Sequence, residues 1–153
     1  MRILVATDGS RGSSAALSFA ARLAARDRES ELIVLTVDPA DGPRSAPQTD
    51  DGNGKNNSKP RRQAQKVLDG AAKEMSHRGA AARFQLVSAR RHDDVPEVIS
   101  READRLKADL VVVGSEGRDT LNEWILGGVA LRLIYVARRP VTVVRPPRRR
   151  KDS

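Results

Sequence analysis

Short aliphatic runs alternating with stretches of helical periodicity constrain this chain more than any other feature. Ile3 to Thr7, Leu32 to Val37, Arg83 to Ser88, Asp109 to Val113 and Val141 to Val144 read as strands. Between them, Ser13 to Arg26, Gln63 to Arg78, Glu97 to Leu106 and Leu121 to Val136, the last broken at Gly127-Gly128, bring apolar residues round to one side of a helix. Leu32–Val37 and Leu110–Val113 are apolar almost throughout, as strands covered on both faces must be. Strands joined by helical crossovers of this length build right-handed βαβ units. The predicted fold is therefore an open, parallel α/β sheet of five strands with helices on both faces.

The 153 residues suit one domain, predicted over residues 1–145. Within it, residues 39–60 hold four Pro, three Gly and three Asn and nothing aliphatic beyond Ala, so they read as a flexible surface loop. Residues 146–153 read as a disordered basic tail. Lys and Arg outnumber Asp and Glu by 28 to 20, a formal charge of +8. Much of that excess sits at the end, in Arg145, Arg148, Arg149, Arg150 and Lys151 against Asp152. The tail reads as a solvated end, open at most to a weak, salt-sensitive contact with polyanions. Four aromatic residues (Phe19, Phe84, Trp124 and Tyr135) give too little stacking surface for single-stranded nucleic acid.

The absence of Cys excludes disulfides, thiolate metal sites and a Cys nucleophile, and two histidines are too few for a His-based metal cluster. No run of 18 apolar residues occurs, so no membrane span is expected. Met1-Arg2 leads directly into the first strand without a signal-peptide cleavage pattern, and the expected location is the cytoplasm.

In open α/β sheets, ligands sit beyond the carboxyl ends of the strands, where strand order reverses. The loop after strand four is the richest in chemistry there. It carries Gly114-Ser115-Glu116-Gly117 and ends in Gly127-Gly128, which opens a helix at about Val129. Gly114 and Gly117 would let the backbone come close to a ligand. The N–H groups at the helix start would favour an anion. Two other readings stay open: plain turn residues at Gly114 and Gly117, and tight helix packing at Gly127-Gly128.

Familiar motifs fail. Gly54-Lys55 lacks the rest of a P-loop, and Gly9-Ser10-Arg11-Gly12 is not a dinucleotide fingerprint, although Asp38 would suit a ribose hydroxyl. Gly114-Ser115-Glu116-Gly117 misses the nucleophile elbow by one residue. No Ser-His-acid set is visible, so catalysis has no evident instrument.

Three stretches nevertheless resemble one known family. Ile3-Leu4-Val5-Ala6-Thr7-Asp8-Gly9-Ser10, Leu35-Thr36-Val37-Asp38-Pro39, and Ala108 through Ser115 continuing to Pro140–Arg145 are similar to universal stress proteins. The glycine pattern G-x2-G-x9-G is the most specific part. The resemblance implies a Rossmann-like, adenine nucleotide α-hydrolase-like sheet of order 3-2-1-4-5. It also implies a homodimer through the strand-five region and an ATP ligand, with or without Mg2+, hydrolysed slowly at most. By position, Ala6, Thr7 and Asp8 would meet the ribose side, Val37 would offer its backbone to adenine, and Val113, Gly114, Gly117, Gly127 and Gly128 would border the phosphates. Gly128 departs from the family's Ser or Thr and lacks that hydroxyl. The alternatives are a family member that binds proteins and no nucleotide, or a weak polyanion binder acting through its tail.

Other polar residues have structural readings beside the functional ones. Asp8 can cap the following turn, and Ser10, Ser13 and Ser14 can cap the first helix. His77 suits a helix C-terminus. His92-Asp93-Asp94 are adjacent and converge poorly on a metal. Trp124 reads as a core or subunit-contact residue.

Overall fold

The computed structural model describes residues 1–39, 59–116 and 126–148. Its elements run β1 (Arg2–Ala6), α1 (Arg11–Ala24), β2 (Glu31–Asp38), α2 (Lys59–His77), β3 (Arg83–Ser88), α3 (Val95–Arg105), β4 (Leu110–Gly114), α4 (Gly128–Val136) and β5 (Val141–Val144). All paired strands are parallel, in the order β3-β2-β1-β4-β5 implied by the family resemblance.

Neighbouring residues of the central strands point to opposite layers, which is why those strands are apolar throughout. Ile3, Val5, Leu32 and Val34 pack under α1 and α2 with Leu17, Leu68 and Met75. Leu4, Ile33, Leu35, Val111 and Val113 pack under α3 and α4 with Ile99 and Leu133. Truncating a fully buried side chain such as Leu4 or Leu133 to Ala costs about 2–5 kcal/mol in cores of this kind.

Caps fix where the helices begin and end. α1 starts at Arg11 and not at Ser13, because Ser10 takes the N-cap and its Oγ accepts the Ser13 N–H at 3.2 Å. α2 starts at Lys59 and not at Gln63, since Pro60 fits a first turn, whose N–H groups have no intrahelical partner. α3 starts at Val95, with Asp94 accepting the Glu97 N–H at 3.1 Å. α2 closes in a Schellman motif with Gly79 in the left-handed region at φ +63°, as its position in the sequence predicts. Ala80 donates to the Met75 carbonyl at 2.9 Å and Gly79 to Ser76 at 3.0 Å. His77 lies at that C-terminus. α3 closes the same way, but its left-handed residue is Lys107, at φ 52°.

Two long polar segments fall largely outside the described residues. Of the predicted 39–60 loop, Lys59 and Pro60 belong to α2, and 40–58 lie outside the description. Of the tail, Pro146 to Arg148 are described, and the Pro147 carbonyl accepts a hydrogen bond from Arg11 at the start of α1.

The chain steps outward from β1 to β3, then crosses back to place β4 on the other side of β1. This reversal opens a crevice at the strands' carboxyl ends. At the opposite end, Glu31 ties three strands together. It pairs with Arg2 of β1 at 2.7 Å and with Arg83 of β3.

Candidate functional site

The crevice at the switch point is a cleft of about 380 Å³, within the usual size of small-molecule sites. Ala6, Thr7 and Asp8 line it from the end of β1, and Val37 from β2. Val113 and Gly114 of β4 and Gly128 of α4 complete the predicted residues found there. Gly127 is the N-cap of α4, immediately before Gly128. Gly117 and Trp124 lie outside the described residues.

The floor is polar and its hydrogen bonds are satisfied internally. Thr7 Oγ1 donates to Ser13 Oγ at 3.0 Å, which donates to the Ser10 carbonyl at 3.0 Å. Thr36 Oγ1 donates to the Thr7 carbonyl at 3.2 Å. Asp8 Oδ1 accepts the Ser10 N–H at 2.9 Å, so the turn-capping reading of Asp8 is realised while its residue also faces the cleft. Gly9 turns there at φ +79°.

Gly114 has a role the sequence did not reveal. A Cβ on Gly114 would lie 2.4 Å from the carbonyl carbon of Gly12, and one on Gly12 would lie 2.2 Å from the Glu116 carbonyl oxygen. The missing side chains let the start of α1 seat directly against the end of β4. A Cβ at Gly114 would run into α1, while the residue itself still lines the cleft.

The start of α4 also differs in detail. The helix begins at Gly128, not at Val129, and the Gly127 N–H is not available to an anion. It donates to the Ser115 carbonyl at 2.7 Å, and the Ser115 N–H donates to the Val144 carbonyl at 2.8 Å. No side chain caps the helix, so its first-turn amides beyond Gly127 carry the dipole's positive end. A Cβ on Gly128 would meet nothing within 4 Å.

The helices supply walls that inspection of the strand-end loops missed. Gln63, Ala64 and Val67 come from α2, Val95 and Ile99 from α3, and Val129 from α4. The available signal was positional: the first turns of α2 and α3 must lie at the carboxyl ends of the strands. The remaining ionisable group is Glu116, whose carboxylate lies 3.7 Å from the Arg11 guanidinium.

Residues with competing readings resolve structurally. Asp38 does not line the cleft; its Oδ2 accepts from Ser88 Oγ at 3.3 Å, and its buried Oδ1 has no partner among the described residues. Asp93 pairs with Arg101 at 2.8 Å, and Asp94 with Arg132 at 3.0 Å. The Arg101 hydrogen bond, aided by the Arg90 N–H, holds the Asp93 carboxyl below its ordinary value. Among the described residues no group of three His, Asp or Glu side chains could hold a metal, and no helix is long and apolar enough to cross a membrane.

Comparison with known proteins gives the same picture. A profile of the universal stress protein family matches residues 1–145. A universal stress protein of Methanocaldococcus jannaschii is 45% identical over 47 residues, which cover 31% of this chain and 28% of that protein. The crystal structure of a family protein from Burkholderia pseudomallei superposes with a TM-score of 0.69 at 31% identity, over 95% of this chain and 96% of that one. A universal stress protein of Archaeoglobus fulgidus, solved in complex with dAMP, gives 0.66 at 26% identity, over 94% and 97% of the two chains. With the fold, the strand order and the profile in agreement along nearly the whole chain, this protein belongs to the universal stress protein family.

Proposed function

We propose that the switch-point cleft binds an adenine nucleotide and that the protein acts through this binding in stress response or regulation. The observation that carries the reading is the pairing of an apolar slot with an uncapped helix start. Val37, Val95 and Val129 offer apolar surface to a flat base, backed by the buried Leu35 and Ile99, and the first-turn amides of α4 attract a phosphate. Ala6, Thr7 and Asp8 would meet the ribose side, and Val113, Gly114, Gly127 and Gly128 would border the phosphate, with Gly117 following in sequence. The dAMP held by the Archaeoglobus fulgidus relative supports this ligand class. ATP, with or without Mg2+, and its shorter relatives are the ligands to compare.

The ligand is held and not turned over rapidly. Ser13 and Thr7 spend their hydroxyls on each other and on the Ser10 carbonyl, and no histidine lines the cleft. The working location is the cytoplasm.

A homodimer through the strand-five region completes the proposal. β5 is an edge strand, and beside it α4 exposes Leu131, Ile134 and Tyr135, the last at 80%. Exposed edges and apolar stripes of this kind are characteristic contact surfaces.

Calorimetric titration of the full chain with adenosine, AMP and ATP tests the nucleotide reading. Saturable binding of at least one is expected, and no heat at millimolar concentration of all three would refute it. Sedimentation of wild type and Tyr135→Glu tests the dimer, which the variant should dissociate; an unchanged mass would place the contact elsewhere.

A further inference from the structure

Every charged side chain on the described lining of the cleft is acidic. Asp8 and Glu116 are there, and no Lys, Arg or His is. This is unexpected beside a helix start that attracts phosphate, in a chain of net charge +8. Glu116 stands at the sensitive position. It follows Ser115, whose carbonyl accepts the Gly127 N–H at 2.7 Å, so it adjoins the start of α4. Its side chain is only 14% exposed, and Arg11 is its counter-ion at 3.7 Å. Arg11 also donates to the Pro147 carbonyl and is not among the residues that line the cleft.

We infer that Glu116, partly neutralised by Arg11, sets the number of phosphates the cleft accepts. This inference rests on the nucleotide reading above. One phosphate at the amides of α4 is attracted by the helix dipole. Each further phosphate adds negative charge beside a largely buried carboxylate, where screening by solvent is incomplete. A monophosphate is favoured over a triphosphate, and Glu116 is the residue that enforces the preference. Arg11 moderates it by offsetting part of the carboxylate's field.

Titration of the full chain with adenosine, AMP and ATP in the presence of EDTA tests this. Wild type should bind AMP more tightly than ATP. Glu116→Gln keeps the side chain's shape and should tighten ATP roughly three- to tenfold, as expected for removing one like charge several ångströms from two additional ones. Adenosine affinity should not change. Arg11→Gln should move ATP the opposite way, with adenosine again as the control. An ATP-to-AMP affinity ratio that Glu116→Gln leaves unmoved overturns the inference while the nucleotide reading stands. Failure of wild type to bind adenosine, AMP and ATP alike refutes the nucleotide reading, and this inference with it. If, in a parallel titration with Mg2+ replacing EDTA, MgATP binds wild type more tightly than AMP and Glu116→Gln weakens it, Glu116 anchors a cation, and the charge preference is overturned.

Discussion

Gly12 and Gly114 touch backbone to backbone: the position a Gly114 Cβ would occupy is 2.4 Å from the Gly12 carbonyl carbon and 2.5 Å from its oxygen. These residues lie in different elements, at the start of α1 and the end of β4, and their contact holds the two sides of the switch point together. A side chain at either position must push backbone aside. Gly114→Ala is therefore expected to destabilise the protein by about 3 kcal/mol, the upper range for overpacking a rigid site. Urea unfolding of the variant measures this; a loss below 0.5 kcal/mol, on the order of an ordinary surface change, would show that the contact yields easily. Binding measurements on such a variant report folding before they report the cleft.

Gly128 allows the cleaner experiment. A Cβ there is unobstructed, and Gly128→Ser places a hydroxyl beside the first-turn amides of α4. A hydrogen bond to a charged group contributes about 1.5–3 kcal/mol. Offset in part by the ordering of the new side chain, this should tighten AMP by about threefold or more, with adenosine unchanged. Equal AMP affinities, measured by calorimetry, would separate the phosphate from the start of α4.

Lys107 occupies the left-handed position that closes α3, at φ 52° and exposed to solvent. Such backbone suits glycine, as at the matching position Gly79, and costs other residues about 1–2 kcal/mol. Lys107→Gly is expected to stabilise the fold by about 1 kcal/mol, net of the chain entropy glycine adds to the unfolded state. A thermal midpoint at or below that of wild type would contradict this.

Glu31 makes stability depend on acidity. Its hydrogen bonds from Arg83 and then from Arg2 hold its carboxyl below the ordinary value of 4.5. Asp93 is likewise held below 3.8, chiefly by Arg101. Because these groups bind protons more weakly when folded, the unfolded chain takes up more protons as pH falls. Their contribution is present above the ordinary values and is lost as pH falls through the lowered folded ones. Denaturant midpoints should thus fall as the medium is acidified below about pH 4.5, and Glu31→Gln should flatten that decline. A variant as acid-sensitive as wild type would exclude Glu31.

The central strands β1, β2 and β4 were legible because burial on both faces leaves a strong mark, and they differ from the predicted residues by one at their ends; the more exposed edge strands β3 and β5 occupy the predicted residues, bounded by turn and proline signals. Alternation of elements identified the right end of the sheet to search, and Ala6, Thr7, Asp8, Val37, Val113, Gly114 and Gly128 do meet in one cleft. What the sequence concealed was contact between distant segments. Nothing local links Gly12 to Gly114, or Arg11 to Pro147. The use of the Gly127 N–H by Ser115 is equally invisible, because a glycine's spacing does not disclose where its amide points. Helix starts were misplaced where a cap, Ser10 or Asp94, outweighed the onset of apolar periodicity.

The peptide of Ser115 is bonded on both sides, to Val144 through its N–H and to Gly127 through its carbonyl. The two ends of the span 116–126 are thereby pinned by atoms outside its interior. The start of α4 is thus tethered to the end of β4, and β4 to β5, by main-chain bonds alone, a clasp that side-chain substitution leaves in place.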